Sequence, residues 1–150
     1  KFFAHQEEID FCWRLNIMGK KIVCIPSSKV YHLGGGTLPK GNPQKTYLNF
    51  RNNLTMLYKN LPEKDLNHVM RIRFWLDYVA AFKELLTGKF GNFKAIIKAR
   101  RDFFKWKSEF AVVRRQIQTL RQTKEDQNIS NFSILQKYYI FRKHTYDKIS

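Results

Sequence analysis

Acidic residues are scarce where this chain begins: Glu7, Glu8 and Asp10 are the only carboxylates in the first 60 residues, against nine Lys and Arg. Over all 150 residues, 28 Lys and Arg face 12 Asp and Glu, a formal charge of +16. Such a surplus favours polyanionic partners: nucleic acid, anionic lipid or phosphorylated substrates. Cysteine is scarce too. Cys12 and Cys24, set among apolar neighbours without CxxC spacing, do not make the disulfide framework of a secreted mini-domain, and with His32 they match no common zinc spacing. Reduced, buried thiols in a cytoplasmic setting are expected. Long apolar runs are missing as well: the strongest, 74–82, contains Asp77 and is about half the ~20 residues that span a bilayer, so no transmembrane helix is expected. The opening Lys1-Phe2-Phe3 carries neither an initiator Met nor a leader, and reads as the interior of a longer protein.

What is present is enough for one modest domain, with 43% apolar and 15% aromatic residues. Residues 7–18 read as a short helix, opened by three acids and stopped by Gly19. Two short strands are expected at 21–25 and 29–32, separated by Pro26 and the Ser27-Ser28 turn and followed by the glycine loop Gly34-Gly35-Gly36-Thr37. From Pro43 the period turns helical, with Tyr47, Phe50, Leu54, Leu57, Tyr58 and Leu61 at steps of three and four until Pro62. A second helix fits 63–86, bounded by Glu63 and Asp65 in its first turn and Gly88 beyond its end. A third fits 92–121, its stripe running from Ile96 through Phe103, Trp106 and Phe110 to Leu120, with most of its Lys and Arg off the stripe. Residues 122–131 read as a linker and 132–144 as a last aromatic, basic helix. The resulting class is an α+β fragment, mostly α, with a basic helical tail: residues 89–150 hold 15 Lys and Arg against 5 acids.

The chemistry concentrates in the three clustered acids. One reading is a helix N-terminus complemented by negative charge, with Asp10 pairing to Arg14 a turn later. The other is a general base with carboxylate neighbours that hold its geometry and tune its pKa. His32 ends the second expected strand directly before the glycine loop, where a side chain can face a ligand. The loop suits close approach to phosphate, with Lys40 in reach of a diphosphate. Arg51 and Asn52 stand on the next helix, read first as a salt-bridged or solvated face.

The run Phe3-Ala4-His5-Gln6-Glu7-Glu8-Ile9-Asp10-Phe11-Cys12-Trp13-Arg14-Leu15, then Gly19, Ile22-Val23-Cys24-Ile25-Pro26 and Val30-Tyr31-His32 with its glycines, resembles the family 2 inverting glycosyltransferases of the GT-A fold, of a bacterial rhamnosyltransferase-like type. The match covers residues 2–60; beyond Leu61 it rests on a similar helical, basic tail. In that family an acidic pair, usually Glu-Asp, then any residue and Asp, closes the acceptor site, with an Arg four positions later. The resemblance implies that Glu8 is the general base, standing where Asp is commoner, with Glu7 and Asp10 orienting it. It implies that His5, Trp13, Arg14, Gly35, Gly36 and Lys40 contact substrates and that His32 binds a divalent cation, Mg²⁺ or Mn²⁺. Residues 1–60 would then be the acceptor and metal side of the catalytic domain, 61–121 an amphipathic helical region and 122–150 a linker with a basic-aromatic end. The nucleotide-binding half would precede Lys1.

The implied partners are a nucleotide-sugar donor, a glycan or lipid-linked acceptor and an anionic membrane surface, with the protein peripheral on the cytoplasmic face of the plasma membrane. The alternative is a non-catalytic basic module for membrane association or nucleic-acid binding, since a striped helix with a basic face suits an anionic interface and basic residues with aromatic rings suit phosphates and bases. Nucleic acid is not an expected partner: no zinc knuckle, RNP-like or helix-turn-helix signature is present, and the stripe would bury the aromatics that stacking needs.

Overall fold

The computed structural model describes residues 4–31, 39, 41–122, 134 and 136–145. Among them run four α-helices, α1 (Glu7–Ile17), α2 (Pro43–Asn60), α3 (Glu63–Leu86) and α4 (Phe90–Thr119), and one π-helical turn, Gln136–Ile140. That turn is what forms, among the described residues, where the last basic helix was expected over 132–144.

Local chemistry sets the boundaries. α1 stops at Gly19, whose φ of 69° lets the Lys20 N–H return to the Leu15 carbonyl at 2.9 Å. α2 starts on Asn42, whose Oδ1 accepts from the Gln44 N–H at 2.8 Å, with Pro43 at the first helical position. Pro62 separates α2 from α3, and Gly88, at φ 74°, separates α3 from α4.

No described residue lies in a strand, so the expected α+β class is corrected to all-α. Residues 20–31 form neither helix nor strand and are exposed, with a turn closed from the Ser28 N–H to the Ile25 carbonyl at 3.0 Å. Their β-branched and aromatic residues have strand propensity, but a strand is stabilised by a neighbour's ladder bonds and side chains. Among the described residues nothing pairs with this segment, and Val30 and Tyr31 are almost wholly in solvent. The thiols are corrected too: Cys12 and Cys24 are free and exposed, not buried.

The core lies along the seam where α2 runs parallel to α4, with α3 antiparallel to both. Leu54, Tyr58, Leu61, Leu66 and Phe103 form its centre, with Trp13, Leu57 and Phe110 packed around them. Phe103 is wholly buried and meets Tyr58 edge to face, ring centroids 5.9 Å apart. A second cluster joins Tyr47 and Leu48 of α2 to Ala95 and Ala99 of α4, small residues that let the two backbones approach.

Polar clamps lock this seam. The Arg114 guanidinium donates to the carbonyls of Tyr58 (2.6 Å) and Leu61 (2.7 Å) and to Glu63 Oε2 (2.6 Å), and Gln118 donates to the Lys59 carbonyl at 3.0 Å. These bonds satisfy carbonyls at the C-terminal end of α2 that helix geometry leaves without partners. Beyond α4, the Gln122 N–H donates to the Ile17 carbonyl at 2.9 Å, pinning the end of α1.

Candidate functional site

The site is built around the start of α1. Asp10 does not face solvent: it is 2% exposed, and its carboxylate accepts from Lys59 Nζ (2.9 Å), Arg14 Nε (3.1 Å) and Asn60 Nδ2 (2.8 Å). Burial pulls the Lys59 ammonium below the usual lysine range, and its bond to Asp10 and that carboxylate's charge counter the shift. Asp10 therefore fastens α1 to the end of α2. Of the three acids it is the one whose oxygens are already spoken for.

Glu7 and Glu8 occupy the first turn of the same helix and are exposed. At 100° per residue, Glu8 lies 200° around the helix from Asp10, so anchoring one on α2 turns the other away from it. The chain reaches this turn through two consecutive non-glycine residues in the left-handed region, His5 (φ 69°) and Gln6 (φ 70°). Such residues cost about 1–3 kcal/mol each and persist where their surroundings hold them. Asn52 does the holding: fully buried, it donates from Nδ2 to the carbonyls of Ala4 (2.7 Å) and His5 (2.9 Å). Its Oδ1 accepts in turn from Arg51 Nε at 2.8 Å.

Asn52 and Lys59 also line a cavity of about 270 Å³ between α2 and α4, together with Arg51, Thr55, Trp106, Glu109 and Phe110. The Arg51 guanidinium lies between two rings, 5.6 Å from the centroid of Tyr47 and 5.8 Å from that of Trp106. Tyr47 is itself tied down, its hydroxyl donating to Asp102 Oδ2 at 2.9 Å. Burial raises the Tyr47 pKa, and the hydrogen bond to Asp102 and that carboxylate's charge add to it. At Asp102 burial alone would raise the pKa, but hydrogen bonds from Tyr47 and Lys98 and the charges of Lys98 and Arg101 outweigh it and hold the carboxyl below its usual range.

Of the expected residues, Glu7, Glu8, Asp10 and Arg14 share α1, with His5 in the turn before it; Asp10 and Arg14 are bonded to each other, and Glu8 is turned to the other side. Trp13 sits instead against the core cluster of Tyr58 and Phe103. His32, Gly35, Gly36 and Lys40 lie outside the described residues. Among the described residues no three His, Cys, Asp or Glu side chains converge as a metal site, and Asp10 is already engaged. Lys59, Thr55, Trp106, Glu109 and Phe110 were not anticipated as site residues. Trp106 and Phe110 belong to the stripe of α4, which reads as packing, and the Lys59–Asp10 bond joins residues 49 apart with no local signal.

Compared with models of known families, with characterised proteins and with solved structures, the chain finds no match.

Proposed function

We propose that this chain forms the acceptor side of a nucleotide-sugar glycosyltransferase that works with inversion on a glycan or lipid-linked acceptor, in the synthesis of cell-surface polysaccharide. The observation that supports this reading most is the division of labour among the acids. Asp10 is consumed as an anchor, and a strained turn held by Asn52 leads into the first turn of α1, where Glu7 and Glu8 stand exposed; Asn52 and Lys59, which hold this turn and Asp10, also line a cavity walled by aromatic rings and polar groups. Aromatic faces with an amide, a hydroxyl, cations and a carboxylate suit a polyhydroxylated ligand, whose ring faces are apolar and whose edges bond.

In the proposed step, an acceptor hydroxyl oxygen attacks the anomeric carbon of the donor, and the bond from that carbon to the nucleoside diphosphate breaks with its electron pair. The hydroxyl proton passes to the Glu8 carboxylate, and the new glycosidic bond has inverted configuration. Glu7 orients Glu8, the carboxylate that accepts the proton. A divalent cation, assigned in this reading to His32, would neutralise the leaving diphosphate.

Glu8→Gln in the full-length protein should lower transfer to acceptor by ~10²-fold or more, with donor affinity nearly unchanged. Transfer kinetics and donor titration read the two separately. A variant keeping more than about half the rate would remove Glu8 from the role.

A further inference from the structure

The seam with α4 uses one side of α3; the other side has no cover among the described residues. Trp75 (69% exposed), Val79 (65%), Phe82 (58%) and Leu86 (70%) follow one another at steps of four, three and four. At 100° per residue they fall within an arc of about 60°, a continuous apolar stripe about three turns long. Tyr78 and Ile72 flank it, each more than two-fifths exposed. A patch of this extent on a charged protein marks an interaction surface.

The surrounding charge indicates what covers it. Arg71, Lys83 and Lys89 are exposed around the stripe. Along the edge toward α4 runs a groove of about 520 Å³ lined by Phe74, Phe104 and Met70 with Arg71 and Lys107. The acids of this stretch lie on the far side of α3 from the stripe: Asp77 is buried and paired with Arg100 Nη1 at 2.6 Å and Arg73 Nη2 at 2.8 Å, and Glu84 accepts from Asn92 Nδ2 at 2.8 Å. Apolar residues flanked by cations match the layered chemistry of a membrane: hydrocarbon under a sheet of anionic headgroups. No helix among the described residues is long and apolar enough to cross a bilayer, so the fitting geometry is a helix lying in the interface.

We propose that α3 docks the protein on anionic lipid bilayers by inserting Trp75, Val79, Phe82 and Leu86 among the acyl chains, while the flanking cations meet lipid phosphates. Docking of this kind needs both parts, apolar insertion and charge, and stands whether or not Glu8 takes a proton.

The test is co-sedimentation of the full-length protein with vesicles of phosphatidylcholine alone or mixed with phosphatidylglycerol, with a parallel set carrying brominated acyl chains. Binding is expected to the mixed vesicles, and bromine should quench tryptophan emission. Trp75→Phe should bind as the wild type does yet lose most of the quenching, because Trp13 packs in the core and Trp106 lines the inner cavity. Trp75→Ser/Phe82→Ser should weaken binding by about tenfold or more. Its circular dichroism melt should be unchanged, since both side chains are exposed. Two results overturn the proposal: binding that salt abolishes but the double substitution leaves intact, or no vesicle binding with a change of oligomeric mass in the double variant, which would assign the stripe to a protein partner.

Discussion

α4 meets α2 on one side and α3 on another, and the two junctions are built differently. Against α2 it offers Phe103, Ala95, Ala99 and Arg114, all buried, and the contact ends in hydrogen bonds that consume the open carbonyls of α2. Against α3 it offers Arg100, whose guanidinium pairs with buried Asp77 and lies 4.8 Å from the Phe74 ring and 5.3 Å from that of Tyr78. The first junction spends its apolar groups on the core and so fixes α1 and its acids. The second holds α3 by Leu66 in the core at one end and by the buried ion pair farther along, and leaves α3's largest apolar side chains outside. Equal hydrophobicity along a helix therefore does not mean equal burial. Where the side chains point decides whether they stabilise the fold or remain for a partner.

The sharpest way to break this comparison is to truncate one aromatic from each side. Phe103→Ala should destabilise the protein by about 3–5 kcal/mol, through lost transfer energy and the cavity left beneath Tyr58. Trp75→Ser, the same kind of loss on the outer stripe, should stay within about 0.5 kcal/mol of the wild type in the absence of lipid. Urea unfolding of both measures the contrast, and similar losses would mean that the α3 stripe is covered in the folded protein.

A second, smaller effect tests the anchor. Asp10→Ala leaves Lys59 and Asn60 buried without the carboxylate they share, a cost of about 1–3 kcal/mol. Removing one member of a buried ion pair can cost more. Here burial already draws Lys59 toward its neutral form, which limits the penalty. On the proposed function the variant should also lose transfer activity, since α1 is no longer held on α2. Full stability with lost activity would instead give Asp10 a direct part in the chemistry.

The helices of both junctions are legible in the sequence because their signals are local. Three- and four-residue spacing, Pro62 and Gly88 mark α2, α3 and α4 to within a few residues. The stripe of α4 correctly points inward at Ile96, Ala99 and Phe103. What the sequence hides is what lies opposite a stripe: 74–82 looks as core-like as 96–103, and only the packing tells them apart. Residues 21–31 misled for a related reason, since Val23, Ile25 and Val30 carry strand propensity whether or not a partner strand is beside them. The acid cluster was legible as a cluster, and its internal division was not. That Asp10 is bound by Lys59 and Asn60 while Glu7 and Glu8 stay open depends on contacts across about fifty residues of chain.

The smallest expected effect separates the two junctions by pH. Asp102, at the α2 junction, has its pKa lowered below the ordinary 3.8, so its contribution to stability is present above that value and lost as pH falls through the folded pKa. Asp77, at the α3 junction, has its pKa raised above 3.8, chiefly by burial that Arg73 and Arg100 only partly offset. In the window from 3.8 up to its folded pKa the folded state holds the proton more tightly than the unfolded chain, so stability falls as pH rises and recovers on acidification. Against burial, Asp102 is held low by its hydrogen bond from Tyr47 and by Lys98, and Lys98 is half exposed, which limits that ion pair to about 1 kcal/mol or less. Asp102→Asn should therefore flatten the decline of the urea midpoint between pH 7 and the most acid conditions the fold survives. Asp77→Asn should steepen it, because it removes the group that opposes the decline, even though Arg100 and Arg73 lose their partner and the midpoint drops at every pH. Parallel midpoint-against-pH curves for the two variants would show that the α2 and α3 junctions do not differ in the protonation of their acids.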